Sequence, residues 1–214
     1  ANIEKAVEVG VVARMQNTGQ SCIAAKRFIV QEGVYDEFLE KYLEKVKELK
    51  LGDPMDENTD MGPIARGYLV SELEDQVAKS VEKGAENIIG GKRKEKGSNY
   101  FLPTILTEIP KDAPAYYEEF FGPVALFFKV KTVDEAIQLA NDTEFGLGGA
   151  LWTSDMEKAP GLARRVKTGT VAINGMVKSE PRLPFGGTKK SGYGREMAEA
   201  GLKEFANIKT INIF

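Results

Sequence analysis

Val124-Ala125-Leu126-Phe127-Phe128-Lys129-Val130, followed by Thr132-Val133-Asp134-Glu135, Gly149-Ala150-Leu151-Trp152, Ser154-Asp155-Met156-Glu157 and Thr170-Val171-Ala172-Ile173, lays out the architecture in order. The first is a near-continuous apolar run and reads as a strand. Thr132 with Glu135 reads as a capping box that opens a helix running to about Ala140. Ser154 with Glu157 reads as a second capping box, and the segments at 149–152 and 170–173 read as strands. Strand–helix–strand–helix–strand with short connections predicts an α/β fold: a largely parallel sheet flanked by helices.

Outward from that core, Asn2 is placed to cap a helix whose apolar stripe is Ile3, Val7 and Val11, ending before Asn17-Thr18-Gly19. Arg27-Phe28-Ile29-Val30 reads as a strand and Gln31-Glu32-Gly33 as a turn. Val34, Phe38, Tyr42 and Val46 then mark a helix stopped by Gly52-Asp53-Pro54. A further helix spans about Arg66 to Lys83 on the stripe Leu69, Leu73, Val77 and Val81, and Asn87-Ile88-Ile89 reads as a short buried strand. At the other end, Met197 to Phe205 is helical. Ile208 to Phe214 alternates apolar and polar as a strand that needs a sheet edge, hence an oligomerisation arm. We expect one domain over residues 1–196 and a terminal helix and arm over 197–214. The chain opens in a helix without an initiator methionine, which suggests a start inside a larger sequence.

Composition narrows the chemistry. The 214 residues carry 29 basic and 32 acidic side chains, a net charge of −3, which leaves no electrostatic footprint for nucleic acid. Lys92-Arg93-Lys94-Glu95-Lys96 lies between glycine-bearing turns and reads as a solvated loop. No run approaches the ~20 apolar residues of a membrane span, and no signal peptide is seen, so a cytoplasmic location is expected. Cys22 is the only cysteine and there is no histidine. That excludes an internal disulfide, a Ser-His or Cys-His pair, and a thiol- or imidazole-based metal site within the chain.

A lone cysteine is most often a small buried hydrophobe. Here it closes Asn17-Thr18-Gly19-Gln20-Ser21-Cys22, where Gly19 permits close backbone approach and Ala24-Ala25-Lys26 can begin a helical turn. Amides at a helix start favour a thiolate and can hold an oxyanion. Gly146-Leu147-Gly148-Gly149 enters a strand and lacks the third glycine of a dinucleotide turn, so it fails as that fingerprint. Composition alone leaves open the glycine-bearing loop from Pro184 to Glu196 and the acids beside aromatics at Glu118-Glu119-Phe120-Phe121-Gly122-Pro123.

Taken in order, Asn17 to Cys22, Glu119 to Pro123, Asn141 to Leu147, Gly169 to Asn174, and Pro184-Phe185-Gly186-Gly187 through Gly194-Arg195-Glu196 resemble the NAD(P)-dependent aldehyde dehydrogenase superfamily across essentially the whole chain. Lys178-Ser179-Glu180-Pro181-Arg182-Leu183 is most similar to its succinate-semialdehyde branch. The resemblance implies that Cys22 is the nucleophile, forming a thiohemiacetal and then a thioester, with its own N–H as half of an oxyanion hole. It implies that Glu119 and Phe121 touch the nicotinamide ribose and ring of NAD or NADP, and that Phe185 lines the substrate funnel. Ser179 by the same resemblance helps hold the distal carboxylate of an aldehyde such as succinic semialdehyde. It also implies a homodimer or higher homo-oligomer; no metal, nucleic acid or membrane partner is expected on the composition given above.

Two departures accompany it. Some succinate-semialdehyde enzymes carry an arginine where Gln16 stands, which leaves Ser179, Arg182 and groups outside the chain to hold a carboxylate. The family's general-base glutamate, its oxyanion asparagine and its cofactor-binding domain precede the position of Ala1, so that domain is expected to be absent and the 214 residues alone inactive. A non-catalytic oligomerisation or docking module is the alternative reading, and a cysteine acyl-transferring enzyme a third.

Overall fold

The apolar runs take up strands and the four-residue stripes take up helices, described for residues 1–214 in a computed structural model. In chain order the elements are α1 (Ile3–Met15), a 3-10 turn (Gln16–Gly19), β1 (Arg27–Gln31), α2 (Glu32–Lys47), α3 (Gly67–Glu82), β2 (Glu86–Ile89), β3 (Thr104–Thr107) and α4 (Pro114–Tyr117). Then follow β4 (Val124–Val130), α5 (Val133–Asn141), β5 (Phe145–Gly146), β6 (Gly148–Leu151), α6 (Ala159–Arg165), β7 (Thr170–Ile173), β8 (Thr188–Lys189) and α7 (Ala198–Glu204).

The main sheet has the order β1-β4-β3-β2. β1 and β3 run parallel to β4 on either side, and β2 closes one edge antiparallel to β3. Alternation along β4 divides its side chains between two cores. Ala125 and Phe127 enter the layer made by α1 and α2, with Val7, Val11, Phe38 and Tyr42. Val124, Leu126 and Phe128 enter the opposite layer, with Val70, Leu73 and Val77 of α3. Both faces are thus covered, which is why β4 reads as an unbroken apolar run. In the first layer the Phe28 ring stacks on Phe127 at 5.1 Å between centroids and tilts against Tyr42 at 5.0 Å. Caps form where expected at Asn2, which accepts from the Lys5 N–H, and at Thr132, which accepts from the Glu135 N–H.

The parallel pairing is divided between two sheets, since β6 pairs only with β7, in parallel, apart from the main sheet. Several local expectations change. β2 lies at the sheet edge with most of its residues exposed, Ile88 included, because no helix covers its outer side. The second capping box does not form: Asp155, not Ser154, accepts the Lys158 N–H, and α6 starts at Ala159. α2 begins at Glu32, inside the expected turn. β3 escaped the sequence reading because only Ile105 and Leu106 carry its apolar signal, yet all its residues are buried. The segment 208–214 is not a strand within the single chain; Ile208, Ile213 and Phe214 are almost fully exposed. No helix is long and apolar enough to cross a membrane.

Candidate active site

α1 delivers the chain to a sharply bent turn. Asn17, Thr18 and Gly19 have φ values of 50°, 56° and 74°, all left-handed. Each non-glycine residue held there costs about 1–2 kcal/mol, so the turn must be over-determined by its surroundings. It is. Asn17 Nδ2 donates to the Gln20 carbonyl at 2.9 Å, and Thr18 Oγ1 donates to the Gly62 carbonyl at 3.1 Å. Gln20 clips the turn to the 63–65 segment, accepting the Ala65 N–H at 2.8 Å and donating to the Pro63 carbonyl at 3.4 Å. Gly19 admits no side chain: a Cβ there would lie 2.2 Å from the Gly122 carbonyl oxygen.

Arg14 supports the turn from below. Its Nη2 donates to the Gly19 carbonyl at 2.7 Å, and the residue is completely buried. Burial pulls its pKa down to about 10, partly offset by Tyr42 and Glu119. Its Nε and Nη1, like the Tyr42 hydroxyl, are buried without a hydrogen-bond partner.

Cys22 emerges from this turn exposed to solvent. The Ala24 N–H closes a tight turn onto the Ser21 carbonyl at 3.1 Å, and the Ala25 N–H ties the segment to the Ala13 carbonyl of α1 at 3.0 Å. The chain then enters β1 at Arg27, so no helix starts at Ala24-Ala25-Lys26; a single turn from Ser21 to Ala24 precedes it instead. The need to feed β1 overrides local helix propensity.

Lys26 draws the site together. Its Nζ donates to the Ser21 carbonyl at 3.0 Å and the Cys22 carbonyl at 3.1 Å, and pairs with Glu119 Oε1 at 2.9 Å. It also lies 5.7 Å from the centre of the Phe121 ring. Desolvation lowers the Lys26 pKa, and the Glu119 carboxylate partly restores it. Glu119 and Phe121 face outward because the residue between them, Phe120, is fully buried in the second core and anchors the segment. Cys22, Glu119 and Phe121, picked out from separate stretches of sequence, therefore meet around one ammonium.

Ser179 and Phe185 make no hydrogen bond or ion pair to the cysteine loop. Ser179 is exposed, and half-buried Phe185 exchanges backbone hydrogen bonds with Glu196 at 2.8 and 2.6 Å. Arg182 is engaged by Glu180 at 2.8 Å. The segment nonetheless approaches α1: a cavity of about 470 Å³ is lined by Val9 and Val12 of the helix and by Asn174, Met176 and Lys178. Lys26 and Arg14 were not singled out from sequence. Arg14 had a signal, as a charge three residues after Val11 on an apolar stripe; Lys26 had none.

An accessible thiol on a strained, braced turn, beside a carboxylate and an exposed aromatic face, is the layout of a covalent nucleophile with a ligand platform next to it. The chain belongs to the aldehyde dehydrogenase family, whose model matches residues 1–211. A probable succinate-semialdehyde dehydrogenase [NADP(+)] of Synechocystis is 49% identical over 211 residues, covering 99% of this chain and 46% of the relative. Succinate-semialdehyde dehydrogenase [NADP(+)] 1 of Mycobacterium tuberculosis is 46% identical with the same coverage. The chain therefore spans about half the length of the curated relatives it matches. Among solved structures, an Escherichia coli NADP-dependent enzyme superposes with a TM-score of 0.94 at 39% identity, covering 98% of this chain and 44% of that one. A Staphylococcus aureus betaine aldehyde dehydrogenase in complex with NAD+ gives 0.92 at 34% identity, covering 100% and 45%.

Proposed function

We propose that these residues form the nucleophile-bearing portion of an NAD(P)-dependent aldehyde dehydrogenase that oxidises succinic semialdehyde to the dicarboxylate. The observation that carries this reading is the convergence of Cys22, Glu119 and Phe121 on Lys26, in a chain so similar to succinate-semialdehyde dehydrogenases.

The Cys22 sulfur adds to the aldehyde carbon, a C–S bond forms, and the carbonyl electron pair moves to oxygen. The Cys22 N–H supplies one donor to that oxyanion, an interaction worth about 3–4 kcal/mol when well aimed. The tetrahedral alkoxide is a far better hydride donor than the free aldehyde. NAD or NADP, when bound, supplies the hydride acceptor. Glu119 fits its ribose, since Lys26 occupies only Oε1 and the residue is exposed, leaving Oε2 to accept from a hydroxyl. Phe121 offers its exposed face to the ring. Water then attacks the thioester on Cys22, a C–O bond forms, the C–S bond breaks, and the thiol takes back a proton. The base for that water and most of the cofactor site are assigned to residues outside these 214. Phe185 receives the body of the substrate and Ser179 its distal carboxylate.

The test is NADH and NADPH formation from succinic semialdehyde. We expect no useful turnover by the 214 residues alone, and turnover when they sit in a chain of the relatives' length. Robust turnover by the 214 residues overturns the assignment of base and cofactor site elsewhere, and none in either overturns the aldehyde reading.

Association follows from the tail. Ile208, Ile211, Ile213 and Phe214 present apolar side chains to solvent, and unpaired strand-like backbone beside them seeks an edge. We expect a homodimer or larger assembly, measured by sedimentation over a hundredfold concentration range, that weakens when the chain ends at Lys209. A monomer throughout contradicts the proposal; unchanged association without the tail removes the arm as its cause.

A further inference from the structure

We propose that Gln76 is a positioning residue for the cofactor side of the site: from α3 it holds the Glu119–Phe120 peptide, so that Glu119 and Phe121 are presented together. The inference rests on the reading of Glu119 as a cofactor contact.

α3 meets the segment 115–122 in reverse order. Leu73, Gln76 and Ser80 stand on one face of the helix, three and four residues apart. Buried Ser80 accepts the Ala115 N–H at 3.0 Å and donates to the Gln76 carbonyl at 2.7 Å, which fixes the start of α4. One turn back, Gln76 Nε2 donates to Glu118 Oε2 at 2.9 Å and to the Glu119 carbonyl at 3.3 Å. Another turn back, Leu73 packs so tightly on Gly122 that a Cβ there would stand 2.4 Å from Leu73 Cδ2.

A glutamine amide has two N–H donors, and both are used here. The grips have different effects. Ser80 and Leu73 hold the two ends of the segment, and buried Phe120 anchors it in the second core. Lys26 holds the Glu119 carboxylate by Oε1. Gln76 is the side chain that bonds the main chain of Glu119 itself, at the peptide lying between the carboxylate and the Phe121 ring. With that peptide and one carboxylate oxygen both held, the second oxygen has a fixed direction. Without Gln76 the peptide can turn while both ends stay in place, and the carboxylate and the ring lose their relative orientation.

Calorimetric titration of NADP into a chain of the relatives' length reads this without turnover. Gln76→Leu is expected to weaken NADP binding by about threefold to tenfold, the effect of one lost hydrogen bond. The KM for succinic semialdehyde at saturating NADP should stay unchanged, whereas a merely structural loss raises both constants. In a Glu119→Ala background Gln76→Leu should add no further loss. Gln76→Glu combined with Glu118→Gln swaps the side-chain pair but leaves the Glu119 carbonyl without its donor, so it should bind NADP at least as weakly as Gln76→Leu. In the 214-residue protein, Gln76→Leu should speed hydrogen exchange at the Glu118 amide, which donates to the Pro114 carbonyl at 2.9 Å, and leave the β4 amides as they were. Gln76→Ala serves in place of the leucine variant if circular dichroism shows that the latter is unfolded. Unchanged NADP affinity overturns the proposal, as do parallel rises in both constants. Recovery of wild-type affinity in the swapped pair overturns it too, by assigning the effect to the Glu118 side chain. Unaltered NADP binding by Glu119→Ala would remove the reading on which the proposal rests, and absent turnover by the wild type would remove the aldehyde reading alone.

Discussion

Gly19→Ala is expected to lower stability by about 3 kcal/mol or more and to disorganise the cysteine loop. Two costs add. The φ of 74° disfavours any Cβ by about 1–2 kcal/mol, and the new methyl would sit 2.2 Å from the Gly122 carbonyl oxygen and 2.8 Å from Arg14 Nη2. The first contact is with backbone, so no rotamer change relieves it. Either the turn moves away from Gly122, breaking the Arg14 bond to the Gly19 carbonyl, or the segment carrying Glu119 and Phe121 moves away from Cys22. The damage thus falls on the site whichever side yields. Denaturant unfolding measures the loss, with Gly161→Ala as the comparison: that glycine lies in α6, where an added Cβ would meet no atom within 4 Å. There the change should be neutral or slightly stabilising through helix propensity. Equal stability for Gly19→Ala and wild type would mean that the close approach is not required.

How much of this was legible depended on whether a signal was local. The β4 run, the α1, α2 and α3 stripes and the caps at Asn2 and Thr132 are period or capping signals, carried by neighbouring residues, and each produced its element. Ser154 failed because a capping box needs the helix to begin at once, whereas the chain first turns through 156–158 and Asp155 takes over as acceptor. β3 went unseen because a four-residue strand buried on both faces carries too few residues to show a period. The tail shows the converse: strand-like alternation from Ile208 to Phe214 has no meaning until it meets an edge, and it pairs with none of the sheet edges within the chain.

The site was legible in its parts and not in its assembly. Cys22, Glu119 and Phe121 stood out through residue type and resemblance, but nothing in the order of residues says that Lys26 spans from the Cys22 carbonyl to Glu119. That contact exists because β1 and β4 lie side by side in parallel, Arg27 opposite Leu126, so the segments entering both strands emerge at the same sheet end. Pairing between distant strands is a tertiary fact, and a lysine's long stem then closes the gap.

Replacing Cys22 by serine is expected to reduce aldehyde oxidation by about a thousandfold or more, measured as NADPH formation in a chain of the relatives' length. A serine hydroxyl is a far weaker acid and a poorer nucleophile than a thiol, so the same position gives up most of its reactivity when oxygen replaces sulfur. Lys26 offers no base for the hydroxyl proton, because its donors are committed to the Ser21 and Cys22 carbonyls and Glu119, and an ammonium cannot accept a proton. The fold should hardly register the change. Cys22 is exposed, so unfolding free energy is expected to stay within about 0.5 kcal/mol of wild type. Cys22→Ala removes the nucleophile outright and should be at least as inactive and equally stable. Turnover within about tenfold of wild type in either variant would deny covalent catalysis through this residue. Inactivity with a large loss of stability would instead make the thiol a structural group, against its exposed position on the turn.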